Sequence, residues 1–118
     1  MAKHLDTGKQ GEDLAASWLQ SNGFTILHRN WRFSYFELDV IATRNEFLHF
    51  IEVKTRTTDR FGHPEEDVTV KKLKRMMSAG EEFQFQNPGW KWVQYDILSI
   101  RLHEHKEPDY FFIEDVSL

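Results

Sequence analysis

Apolar and polar residues alternate with two different periods along this 118-residue chain, and the switches between them mark out its elements. Leu14, Ala15, Trp18 and Leu19 recur at helical spacing, so the chain is expected to open with a helix. Asp6 or Thr7 can cap its start and Asn22-Gly23 is a strong stop, although Gly8 and Gly11 both weaken a helix. Phe24 to Trp31, Phe36 to Ala42 and Phe47 to Lys54 then read as strands, the last two joined into a hairpin by the polar break at Thr43 to Glu46. Gly62 and Pro64 mark a loop. Leu73, Met76, Met77, Gly80 and Phe83 trace one face of a second helix that ends before Asn87-Pro88-Gly89. Trp90 to Leu102 reads as a further strand region, and Tyr110 to Ile113 as a short last strand. The order α-β-β-β-α-β-β predicts an α/β fold, a central mixed sheet flanked by helices, as a single domain over 1–118.

Composition narrows the function classes. Hydrophobic residues make up 40% of the chain and aromatic residues 14%, enough to build a core without help. There is no Cys, which excludes a disulfide framework, a thiolate zinc site and a cysteine nucleophile together. No uninterrupted apolar stretch approaches bilayer length, and Met1 to Lys9 is polar, so a cytoplasmic protein with no membrane association is expected. The net charge of −4 argues against a general nucleic-acid coat. The charge is unevenly placed, however. Val53 to Arg75 carries seven basic against four acidic residues, and Ile100 to Leu118 carries two against five. Such poles could orient a polyanion, or could be ordinary solvated surface.

Candidate chemistry gathers on the hairpin. If Asn45-Glu46 forms a two-residue turn, Asp39 lies opposite Glu52 and Glu37 opposite Lys54, with all four on one sheet face beside Ile41, Leu48 and Phe50; a turn at Arg44-Asn45 would set Asp39 diagonal to Glu52, still pointing the same way. The other face, with Phe36, Leu38, Val40, Phe47, Ile51 and Val53, is expected to be almost wholly apolar. Opposed carboxylates repel unless a cation or a shared proton compensates. A hard divalent ion such as Mg²⁺ takes one or two carboxylates plus waters and phosphate oxygens, and Lys54 would add a point charge near the phosphate or the attacking water. Spacing alone leaves a second reading open, in which Glu37 and Lys54 form a plain cross-strand pair and Asp39 and Glu52 each find an arginine among Arg29, Arg32 and Arg56.

Three blocks then add weight: Gly8-Lys9-Gln10-Gly11-Glu12, Phe36-Glu37-Leu38-Asp39-Val40-Ile41-Ala42 and Phe50-Ile51-Glu52-Val53-Lys54-Thr55-Arg56. Together they resemble the signature of the YraN-like family. Asn30, Gly62, Lys72, Ala79 and Tyr95-Asp96 also fall where that pattern leads one to expect them. The family in turn resembles the restriction-endonuclease-like, PD-(D/E)xK nucleases, including archaeal Holliday-junction resolvases. The resemblance implies a restriction-endonuclease-like core, a site built from Asp39, Glu52 and Lys54, and Glu12 reaching in from the first helix. Asp39, Glu52 and Glu12 would hold Mg²⁺ or Mn²⁺, and the expected activity is metal-dependent endonucleolytic hydrolysis of DNA or structured nucleic acid. The alternative is a non-catalytic nucleic-acid-binding or protein-interaction module that keeps the nuclease fold. Phe36 stands where the family usually has Gly, and Gln94 where a basic residue often precedes the aromatic-Asp pair. Phe36 is expected on the sheet face opposite Asp39.

Weaker candidates complete the picture. Arg56, Lys71, Lys72 and Arg75 could hold a phosphate backbone, and Lys74 belongs to the same run; the bland reading is a solvated helix face. His103-Glu104-His105 could bind a metal only if a strand ran through it. Trp90 and Trp92 could stack on bases but suit strand packing as well, and His49 belongs to the apolar sheet face or its edge. A homodimer would suit a two-strand cut.

Overall fold

Five strands hydrogen-bond into one mixed sheet in the order in which the chain runs. The computed structural model describes residues 3–57 and 69–117, with side chains from Gly8 onward in the first helix. The elements are α1 (Lys3–Ser21), β1 (Thr25–Phe33), β2 (Phe36–Arg44), β3 (Phe47–Arg56), α2 (Val70–Gln86), β4 (Trp92–Arg101) and β5 (Asp109–Ile113). β3 and β4 pair in parallel, which demands a crossover, and α2 lies between them in the chain; the other neighbours are antiparallel. The expected α/β class and mixed sheet are borne out. The loop expected around Gly62 and Pro64 lies outside the described residues. Among those described, no helix is long and apolar enough to cross a membrane.

Each helix covers one sheet face. On one side Ala15, Leu19 and Phe24 pack with Val40, Ala42, Ile51, Leu98 and Ile100. On the other, Ala79 and Phe83 of α2 pack with Leu38, Ile41, Leu48 and Phe50. β3 is therefore buried on both faces over Leu48 to Ile51, which is why its sequence runs largely hydrophobic without a clean alternation.

The helix ends follow local chemistry. Gly23, at φ 88°, closes α1: its amide reaches the Gln20 carbonyl and the Phe24 amide reaches that of Leu19, while Phe24 and Leu19 meet in the core. The start of α1 differs from expectation, because Asp6 and Thr7 lie inside the helix rather than capping it. At the other helix Thr69 is the cap, its hydroxyl accepting from the Lys72 amide at 3.1 Å.

Gly11 persists in mid-helix for a steric reason. A Cβ there would overlap the Thr55 hydroxyl and lie 3.0 Å from Thr55 Cβ, so α1 approaches the end of β3 only because this residue has no side chain. Propensity alone would make Gly11→Ala stabilising by about 1 kcal/mol. We expect the opposite sign, a loss of about 1–3 kcal/mol from overpacking, read from denaturant midpoints. A stabilised variant would contradict the close approach.

Candidate active site

The β2–β3 turn sets the frame of the site. Asn45 and Glu46 both adopt positive φ (52° and 69°), the backbone of a two-residue hairpin turn. Pairing runs from Arg44↔Phe47 to Val40↔Ile51, the register expected from the turn. It stops there, one step short of Asp39 and Glu52. The Val53 amide instead donates to Asp39 Oδ2 at 2.8 Å, so the carboxylate occupies the position of a strand carbonyl where β2 and β3 part.

The strict alternation of faces breaks at the same point. Phe36 and Leu38 pack on the α2 side, whereas Val40 and Ala42 pack on the α1 side. Across β1, Arg29↔Val40 and Trp31↔Leu38 place Asn30 beside Asp39, and Asn30 has φ 54°. Asparagine tolerates this left-handed geometry better than most side-chain-bearing residues. Arg29 and Asn30 accordingly both turn toward α1, to Asp13 at 2.9 Å and Glu12 at 3.2 Å, while Trp31 packs toward α2. The expectation that Phe36 and Leu38 share a face with Val40 and Ile51 is thereby corrected. Phe36 lines the same concavity as Asp39 instead of pointing away from it.

That concavity has a volume of about 460 Å³ and opens between β2, β3 and the start of α2, with Glu37, Asp39, Glu52, Lys72 and Arg75 among its walls. Glu52 is paired with Lys72 Nζ at 2.8 Å, both side chains mostly covered. Glu37 pairs with Arg32 at 3.5 Å rather than with Lys54. Arg29 is engaged with Asp13. Lys54 is exposed and forms no ion pair among the described residues. Glu12 is half-buried, its Oε1 accepting from Asn30 Nδ2. Lys71 and Arg75 are exposed, Arg75 at the concavity wall, and Arg56 is half-buried at the end of β3 with its carbonyl accepting from the Leu102 amide.

The electrostatics single out Asp39. Burial pushes its carboxyl up to about 6, and the charges of Glu52, Glu37 and Glu12 push in the same direction against the lowering effect of the Val53 amide. Glu12 is therefore within electrostatic reach of Asp39 from the α1 side, and Glu52 from the α2 side. With a folded value above the unfolded one, this carboxyl favours folding while protonated, and the contribution is lost as pH rises from about 4 to about 6. In chelator, the parent should lose up to about 3 kcal/mol across that window relative to Asp39→Asn. Superimposable melting curves for the two proteins across pH 4–7 would refute the assignment.

An excess of negative charge in a half-buried site is what a divalent cation would relieve. Asp39 and Glu52 offer hard oxygen donors and suit a Mg²⁺- or Mn²⁺-type ion that retains waters. Among the described residues no group of three or more acidic or histidine side chains is arranged as a metal cage. No strand runs through His103-Glu104-His105: His103 holds Asp109 at 2.8 Å, and His105 and Glu104 are exposed.

Two features escaped sequence reasoning. Lys72, grouped with surface cations, is the residue that neutralises Glu52; only the docking of α2 over β3 reveals it. His49 is 2% exposed, with Nδ1 2.6 Å from Oδ2 of the fully buried Asp96. The other Asp96 oxygen accepts from Gln94 Nε2 at 2.8 Å and from the Asp115 amide at 2.9 Å. The signal available was a His and an Asp inside two apolar strand runs, each in need of a partner.

The family described as "Uncharacterised protein family UPF0102" matches residues 11–100. Similar relatives include UPF0102 proteins of Mycolicibacterium vanbaalenii (42% identical, covering 95% of this chain and 93% of that one) and Chloroherpeton thalassium (42%, covering 98% and 95%). A third, from Bacteroides thetaiotaomicron, is 40% identical and covers 85% of this chain and 83% of its own. The resemblance drawn from the three sequence blocks holds at the level of this family.

Proposed function

The chain belongs to the uncharacterised protein family UPF0102, and from the geometry of its carboxylate pair we propose that it is a divalent-metal-dependent phosphodiesterase, of restriction-endonuclease-like core, that hydrolyses DNA or structured nucleic acid. The observation that carries this reading is Asp39: a carboxyl inserted where two strands part, held by the Val53 amide and pushed up to about 6 by burial and three neighbouring acids. A fold that only needed stability would not place an acid there.

In this reading Asp39 and Glu52 hold Mg²⁺ or Mn²⁺, which when bound lowers the pKa of a water and offsets charge on the phosphate. Asp39 is fixed in orientation by its backbone hydrogen bond. Glu12 assists through a water, its own carboxylate steered by Asn30. Lys54, exposed on the Glu52 face of β3, orients the attacking water or takes a phosphate oxygen. Lys72, once Glu52 has another cation, is free to turn to phosphate, and Arg75 stands at the same wall. Lys71 and Arg56 extend the positive ground for the strand on either side.

The test is a cleavage assay on fluorescently labelled duplex, forked and single-stranded DNA and on RNA of the same sequence. With Mn²⁺ present the protein should cut at least one of them, excess chelator should stop it, and Lys54→Ala should slow it by about a hundredfold or more. Salt-sensitive binding that ignores both metal and Asp39, with no cleavage, would instead favour the binding-module reading.

A further inference from the structure

The turn between β1 and β2 carries an aromatic residue that the fold does not use. Tyr35 is 99% exposed, yet it lines the same concavity as Asp39, Glu52, Lys72 and Arg75. The turn beneath it is firmly built. Phe33, 44% exposed, stacks on Trp31 with ring centroids 6.5 Å apart and planes 17° apart, and Trp31 meets Phe83 of α2 edge-on at 5.4 Å. Ser34, at φ 56°, bends the chain so that Phe33 pairs with Phe36, leaving Tyr35 at the tip. The ring is thus held out into solvent from a braced turn.

We propose that Tyr35 is a stacking platform for an unpaired base next to the scissile phosphate, which makes the substrate a polynucleotide with single-stranded character at the cut. This deepens the phosphodiesterase reading and rests on it. An aromatic face can stack on a base only where the base exposes its own face, and bases inside a continuous duplex present only their edges to the grooves. The volume of about 460 Å³ is that of a site for one small-molecule-sized unit, so it suits a nucleotide drawn out of a strand better than a double helix. The charges are ordered to match. Lys72 and Arg75 stand on the α2 wall, where a phosphate would lie, and the aromatic tip stands at the β1–β2 turn, where the attached base would reach.

The experiment compares binding of a fluorescein-labelled single strand and of the blunt duplex of the same sequence, by anisotropy in chelator so that nothing is cut. Tyr35→Ala should weaken single-strand binding roughly five- to a hundredfold, the range of one lost base stack. Tyr35→Phe and Tyr35→Trp should retain it, duplex binding should not change, and the melting temperature of all three variants should match the parent. Equal effects of Tyr35→Ala on both probes, no effect on either, or no binding by the parent would overturn the platform. Parallel Mn²⁺ cleavage assays separate the two ideas. Cutting that persists while Tyr35→Ala leaves both affinities unchanged removes the platform alone. Tyr35-dependent binding with no cutting in any metal removes the phosphodiesterase reading instead.

Discussion

Asp39→Asn is expected to reduce Mn²⁺-dependent cleavage by at least about a hundredfold while making the protein more stable at neutral pH. The two effects share one cause. Asparagine retains an oxygen to accept from the Val53 amide, so the junction between β2 and β3 keeps its hydrogen bond. What disappears is a half-buried charge that Glu52, Glu37 and Glu12 all oppose. Above pH 6 the parent bears that charge, and relieving it should stabilise the variant by up to about 3 kcal/mol. A divalent ion relieves the same repulsion in the parent, so Mn²⁺ should raise the melting temperature of the parent more than that of the variant, and more at pH 8 than at pH 5, because a ligating carboxylate must be deprotonated. Calorimetric titration with Mn²⁺ and single-turnover cleavage check the two halves. An inactive variant that is also less stable at pH 8 would mean that Asp39 is a structural acid, and undiminished cleavage would remove it from the site.

Asp96→Ala should have the largest effect on stability, a loss of about 3–5 kcal/mol, with a fall in melting temperature of roughly 10 °C or more. The removed carboxylate is fully buried and accepts from His49, Gln94 and the Asp115 amide. Three donors would lose their acceptor, two of them joined to the sheet interior and one to the chain after β5. The Val116 amide, bonded to the Tyr95 carbonyl at 2.8 Å, would be left as the neighbouring tie of that segment. Asp96→Asn should cost less, because one oxygen remains to serve Gln94 and Asp115. Thermal melts of both variants, with Mn²⁺ titrations run well below the transition, distinguish this structural role from a catalytic one: affinity for the ion should be close to that of the parent. A melting temperature unchanged in Asp96→Ala would show that the buried network contributes nothing.

The hairpin was readable from sequence because every signal for it is local. The polar break from Thr43 to Glu46 between apolar runs confines the turn to two positions, both of which keep Ile41, Leu48 and Phe50 on one face, and the structure takes the one at Asn45-Glu46. Period-two reasoning failed where the backbone departs from a regular strand. Asn30 at φ 54° looks like any asparagine in a sequence, yet beside it Leu38 and Val40 end on opposite faces. Long-range pairings were out of reach for a different reason. Lys72 finds Glu52, and Asp96 finds His49, only after α2 has carried the chain across and laid β4 alongside β3, and no spacing within either segment encodes that geometry. Tyr35 passed unnoticed because an aromatic residue in a turn acquires meaning only from what stands across the concavity.

The hairpin register also limits how this chain can vary in length. Five paired positions separate the Asn45-Glu46 turn from Asp39, and the carboxylate has a single place to go, the Val53 amide. Inserting or deleting one residue between 39 and 53 would bring Leu38 or Val40 to that amide and turn the acid into the apolar layer. Compensating changes in both strands would be needed at once. Relatives of this protein should therefore gain and lose residues elsewhere, and the stretch from Asp39 to Val53 should behave as a ruler of fixed length.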